Sequence, residues 1–91
     1  MTDKDTATIM ALLERLRVSR LPRAESLKAK VDRGEVLGDR DIAFLKRVFE
    51  DGRRVKPLID RHPEYQDLAA RLVHLYEEIT RKALENQKAA E

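Results

Sequence analysis

Two long amphipathic segments, separated by His62 and Pro63, occupy the sequence from Leu37 to Leu84. Apolar residues recur along each segment at intervals of three or four, the spacing that places them on one face of an α-helix. In the first segment these residues are Ile42, Leu45, Val48, Phe49, Val55 and Ile59. In the second segment they are Tyr65, Leu68, Ala69, Leu72, Leu75, Tyr76, Ile79 and Ala83. The pattern predicts helices over residues 39–61 and 63–88 that pack as an antiparallel hairpin.

The ends of these two helices have clear sequence signals. Gly38 can cap the first helix, and Asp39 and Asp41 place negative charge at its positive dipole end. Pro63 suits the first position of the second helix. Pro57 lies on the solvent-facing side of the helix predicted over residues 39–61. There, water can replace the backbone hydrogen bond that proline removes. We therefore expect a single kinked helix here rather than two shorter ones.

Gly52 lies near the middle of the apolar stripe of the first long helix. A glycine in a helix interior costs roughly 1 kcal/mol relative to alanine. Its presence favours close approach of another helix at this position, although a merely weak position in the helix fits the pattern nearly as well.

The first third of the chain predicts two short helices. Ile9, Leu12, Leu13 and Leu16 share one face, and this pattern fades before Pro22. Pro22 would start the second short helix, which ends at Gly34, a residue suited to a left-handed stop. The predicted helices cover residues 6–19 and 22–33. We therefore expect an all-α fold, a small four-helix bundle-like domain over residues 1–91 with two short N-terminal helices and a long C-terminal hairpin.

The composition agrees with this fold class and narrows the function. Hydrophobic residues make up 42% of the 91 residues, which is enough for a modest core, and charged residues make up 40%. The chain has no cysteine, so it has neither a disulfide framework nor a thiol nucleophile. No stretch approaches the ~20 apolar residues of a membrane span. We expect a cytoplasmic protein that does not act in a membrane.

Positive charge is concentrated in residues 15–33, which have a net charge of +5 in a chain whose net charge is +2. The basic residues of this segment are Arg15, Arg17, Arg20, Arg23, Lys28, Lys30 and Arg33. Such a segment could neutralise phosphates of a nucleic acid. The two short helices could imitate a helix-turn-helix, but their turn lacks a glycine, so an ordinary αα corner fits better. A solvated charged face is the simpler interpretation.

No set of residues forms a catalytic pattern. Asp67, His74 and Glu78 project to one side of the second long helix, but that side is the centre of its polar face. Metal sites in helical bundles use inward-pointing ligands from several helices, so exposed ion pairs are the better interpretation. His62 lies at the hairpin tip, where a turn or capping residue is expected. We predict no catalytic residue, no metal and no cofactor, and therefore a protein that is not an enzyme.

The apolar arcs of the two long helices are wider than one neighbouring helix requires. Phe44 and Leu58 widen the first arc, and Val73 and Leu84 widen the second. A helix with one neighbour needs only a ~100° stripe. These four residues are therefore predicted to form an interface with a second copy or with another protein.

The functional prediction follows from these arcs. We expect a small helical protein-interaction or scaffold module that associates with itself. The alternative is a nucleic-acid-binding regulator that uses the basic segment.

Overall fold

A computed structural model of the chain describes residues 4–91. Its α-helices are α1 (Lys4–Arg15), α2 (Leu21–Asp32), α3 (Asp39–Asp60) and α4 (Gln66–Ala90). A π-helical segment, Leu16–Arg20, lies between α1 and α2, and a 3-10 turn, Pro63–Tyr65, precedes α4. No strand occurs in residues 4–91. The all-α prediction is confirmed, and the bundle measures 54 × 20 × 17 Å.

The helical backbone runs without a break from α1 through the π-helical segment into α2. Arg20 and Leu21 both have right-handed helical dihedral angles, and the Leu21 N–H donates to the Leu16 carbonyl five residues earlier. The predicted corner at Leu21 and Pro22 is therefore absent, and residues 4–91 contain three continuous helices rather than four. Pro22 has no N–H, and its ring would collide with a carbonyl in a regular α-helix. The wider π turn accommodates both the missing N–H and the proline ring, so the helix continues through Pro22.

The end of α2 is formed at Gly34, as the sequence predicted. Gly34 has a φ of +86°, in the left-handed region that favours glycine. Its N–H donates to the Val31 carbonyl at 3.0 Å, and the Glu35 N–H donates to the Lys30 carbonyl at 3.3 Å. These two hydrogen bonds are those of a Schellman motif, which satisfies the last carbonyls of the helix.

The start of α3 also follows the prediction. Gly38 is the N-cap residue, and its backbone N–H donates to the Asp41 carboxylate at 3.3 Å. Asp39 and Asp41 occupy the first turn, where their charge is favourable. The helix continues through Pro57, which is exposed to solvent.

The main core lies at one end of the molecule, where α2, the start of α3 and the second half of α4 meet. Its buried residues are Leu27, Val31, Leu37, Phe44, Leu45 and Ile79. Fully burying a large aliphatic side chain contributes ~1.5–3 kcal/mol, so this cluster supplies much of the stability. Ile9 of α1 is also buried, but outside this cluster.

The close helix approach predicted at Gly52 is wrong. A Cβ atom placed on Gly52 would meet no atom within 4 Å, because α3 presents this position to open space. The geometry supports the alternative, in which Gly52 only lowers the stability of the helix and packs against no neighbour.

Candidate interaction surface

An apolar cleft of about 630 Å³ lies between α1, α3 and α4. Its walls include Leu12 and Leu16 of the N-terminal helix, Ile59 of α3, and Leu68 and Leu72 of α4. Leu68 is exposed although it lies on the apolar stripe of α4. Three core residues, Phe44, Leu45 and Ile79, also line the cleft, so it adjoins the main core.

A continuous apolar strip runs along the side of the bundle formed by α3 and α4. Ile42 is 42% exposed, Phe49 51%, Val73 56% and Leu84 54%. The Phe49 ring stacks on Tyr76 with centroids 6.0 Å apart. A depression of about 310 Å³ adjoins the cleft, with which it shares the wall residues Leu45 and Tyr76. We call the strip of Ile42, Phe49, Val73, Tyr76 and Leu84 the α3–α4 face.

Three charged residues border the α3–α4 face. Lys46 lines the smaller depression, and Arg53 and Glu77 line the cleft. The Arg53 guanidinium lies 6.0 Å from the centroid of the Phe49 ring. Within the described residues 4–91, none of these three side chains forms an ion pair. Their charges are therefore available to groups outside the chain.

The structure separates the four residues that the sequence placed at an interface. Val73 and Leu84 are exposed on the α3–α4 face, and Leu58 is half-buried. Phe44 is buried in the core, and the Arg23 guanidinium lies 4.6 Å from its ring centroid. Its assignment to an interface is therefore wrong, because the chain's own side chains cover it.

Sequence reasoning missed Ile42 and Phe49 as surface residues because it assigned both to the stripe facing the hairpin. The buried side of α3 is instead the one that carries Phe44 and Asp51. Three ion pairs from residues 20–30 reach this side: Arg20 with Asp51, and both Arg23 and Lys30 with Asp41, at 3.8 and 2.9 Å. The seven-residue spacing of Ile42 and Phe49 was the available signal, since such residues share one edge of a helix.

The predicted basic segment is largely neutralised within the chain. The ion pairs are Arg17–Glu14, Arg20–Asp51, Arg23–Asp41, Lys28–Asp32, Lys30–Asp41 and Arg33–Glu35. Arg15 is the one of the seven for which residues 4–91 supply no such partner. The structure does not bring these cations together as an uncompensated positive surface.

The histidines take part in local pairs. His74 Nε2 lies 2.7 Å from Glu78 Oε1 on α4, and His62 Nε2 lies 3.5 Å from the Asp5 carboxylate. The Arg61 guanidinium donates to the same Asp5 carboxylate at 2.8 Å and holds the pKa of that group below its usual value. The tip of the hairpin is thereby attached to the start of α1.

Among residues 4–91, no three side chains of His, Cys, Asp or Glu meet as a metal site. None of the helices in this described range is long and apolar enough to cross a membrane.

No protein-family model, curated protein or solved structure matches this chain.

Proposed function

We propose that this protein is a self-associating helical interaction module that acts by binding rather than by catalysis. The observation that carries the proposal is the α3–α4 face, where Ile42, Phe49, Val73 and Leu84 are each about half exposed along one continuous strip. Removing apolar surface from water contributes ~25 cal/mol per Å², so covering the strip favours association. Contiguous apolar surface bordered by charges is typical of protein-binding sites.

The α3–α4 face offers little to a small-molecule reaction. Its polar neighbours, Lys46, Arg53 and Glu77, stand on helices that present them to solvent. A protein surface of matching shape can cover the apolar strip and pair these charges at its rim, which is the usual anatomy of an interface.

The alternative, a nucleic-acid-binding regulator, receives less support. Phosphate contacts would have to displace the carboxylates that already pair with six of the seven basic residues of residues 15–33. Retention on heparin that falls steeply with salt would favour this alternative. Changing Arg17, Arg20 and Arg23 together to Gln should then lower the salt dependence of binding.

The test of the proposal is a pair of matched substitutions. Val73→Glu places a charge on the α3–α4 face, and it should shift the mass in solution from dimer toward monomer with helix content retained. Val18→Glu is the control, because Val18 is 60% exposed but lines neither the cleft nor the depression. We expect the control to keep the parent's mass. Equal effects of the two changes, or no effect of Val73→Glu, would contradict the proposal.

A further inference from the structure

Residues of the α3–α4 face, together with Thr80 and the charged residues that border the face, form two four-residue rows with the same spacing. On α3 the row is Ile42, Lys46, Phe49 and Arg53, and on α4 it is Val73, Glu77, Thr80 and Leu84. Both rows advance by four, three and four residues, the spacing of a seam in which helices pack side by side. Apolar and charged residues occur in each row, and the α3 row is positive whereas the α4 row is negative.

The two rows lie at matching heights because α3 and α4 run antiparallel. Phe49 stacks on Tyr76, and Ile42 and Leu84 line the same depression. Glu77 therefore lies level with Phe49, midway between Lys46 and Arg53. At 1.5 Å per residue, each cation is about 5 Å from that level along the helix axis.

We infer that the α3–α4 face binds a second copy of this chain about a two-fold axis parallel to the helices. This inference rests on the proposed function and specifies its partner. Such an axis keeps every residue at its height and places α3 of each copy against α4 of the other. Glu77 of the second copy then faces the gap between Lys46 and Arg53, and symmetry repeats the arrangement on the other side.

Charge selects this axis over a two-fold axis perpendicular to the helices. The perpendicular axis would place α3 against α3 and α4 against α4. With that axis at the height of Glu77, Lys46 would meet Arg53 of the second copy, and Glu77 would meet Glu77. Like charges at an interface oppose association, whereas the parallel axis pairs all of them with opposite charges.

The experiment is a charge exchange measured by sedimentation equilibrium. Glu77→Lys alone, and Lys46→Glu with Arg53→Glu, each place like charges across the interface, so each should weaken the dimer about tenfold or more. The triple variant with all three changes restores opposite charges and should recover the parent's dissociation constant. Recovery in the triple variant cannot come from a chain that merely fails to fold.

Glu50→Lys is the matched control, because Glu50 is an exposed residue of α3 that lines neither the cleft nor the depression. It should leave the dimer unchanged. If Val73→Glu dissociates the dimer but the charge variants do not, the inferred axis is wrong and the proposed function stands. If the parent is monomeric, both fail.

Discussion

The side-chain amide of Asn86 on α4 donates a 2.8 Å hydrogen bond to the backbone carbonyl of Val31 on α2, 55 residues away in the sequence. The same amide donates to the Glu35 carbonyl at 2.9 Å. Helix ends leave carbonyls without partners inside the helix, and those near a core need another donor. Asn86 adds a second donor to the Val31 carbonyl, which also accepts from the Gly34 N–H, and a donor to the Glu35 carbonyl. One buried polar residue therefore joins the end of α2 to the end of α4.

Asn86→Ala should lower the free energy of unfolding by about 1–3 kcal/mol, because it removes both hydrogen bonds that this buried side chain donates. Urea denaturation followed by circular dichroism measures this change. Gln87→Ala, at the exposed neighbouring position, is the control and should change stability by less than about 0.5 kcal/mol. Equal stability of the Asn86 variant and the parent would show that water replaces the amide.

Asp41 connects α2 to the cap of α3, and its contribution to stability should depend on pH. The Lys30 ammonium, which donates to the Asp41 carboxylate at 2.9 Å, and the Gly38 N–H together hold the pKa of this carboxyl below its usual value of 3.8. A lowered folded-state pKa stabilises the fold above the unfolded-state pKa, and that stability is lost as the pH falls through the folded-state pKa.

Asp41→Asn should therefore destabilise the protein by about 1 kcal/mol at neutral pH. The difference from the parent should begin to shrink as the pH falls below the unfolded-state pKa of about 4. It should be lost below the lowered folded-state pKa, where the parent's own carboxyl is protonated in both states. Thermal unfolding at a series of pH values measures both effects. Asp39→Asn, in the same turn, should have a smaller effect. A pH-independent difference would contradict the proposed role of the Asp41 charge.

Gly52 and Gly34 should respond in opposite directions to alanine. Gly52→Ala should raise the free energy of unfolding by about 0.5–1 kcal/mol, because the position is helical and a Cβ meets open space. Gly34→Ala should lower it by about 1–2 kcal/mol, because Gly34 has a φ of +86°. Chemical denaturation of both variants gives the two signs. A destabilised Gly52 variant would place a neighbouring helix where the structure has none.

Local chemistry made much of the fold predictable. The starts of α3 and the hairpin's second helix, and the stop at Gly34, depend on capping residues and prolines within a few positions of one another. The helix break predicted at Pro22 is wrong because a π turn accommodates the proline. No residue near Pro22 indicates that turn in the sequence. The bond from Asn86 to Val31 was not predictable either, since its partners are far apart in sequence.

The candidate site was predicted in part for the same reason. Val73 and Leu84 were predicted from the width of their apolar arc, which is a property of α4 alone. Both are exposed, and their place in an interface stays a prediction. Phe44 was misassigned, and Phe49 missed, because the side of α3 that is buried depends on packing against α2, which is distant in sequence. Periodicity gives an apolar face but does not say which edge of it another element covers.

In the proposed dimer, the α3–α4 face joins two copies of this chain. The most direct test is the mass of the unmodified protein by sedimentation equilibrium, measured up to tens of micromolar so that a micromolar dissociation constant would be detected. We expect the dimer to give a concentration-dependent mass that rises toward twice the 10.6 kDa of one chain. A mass that stays at 10.6 kDa throughout this range would contradict it.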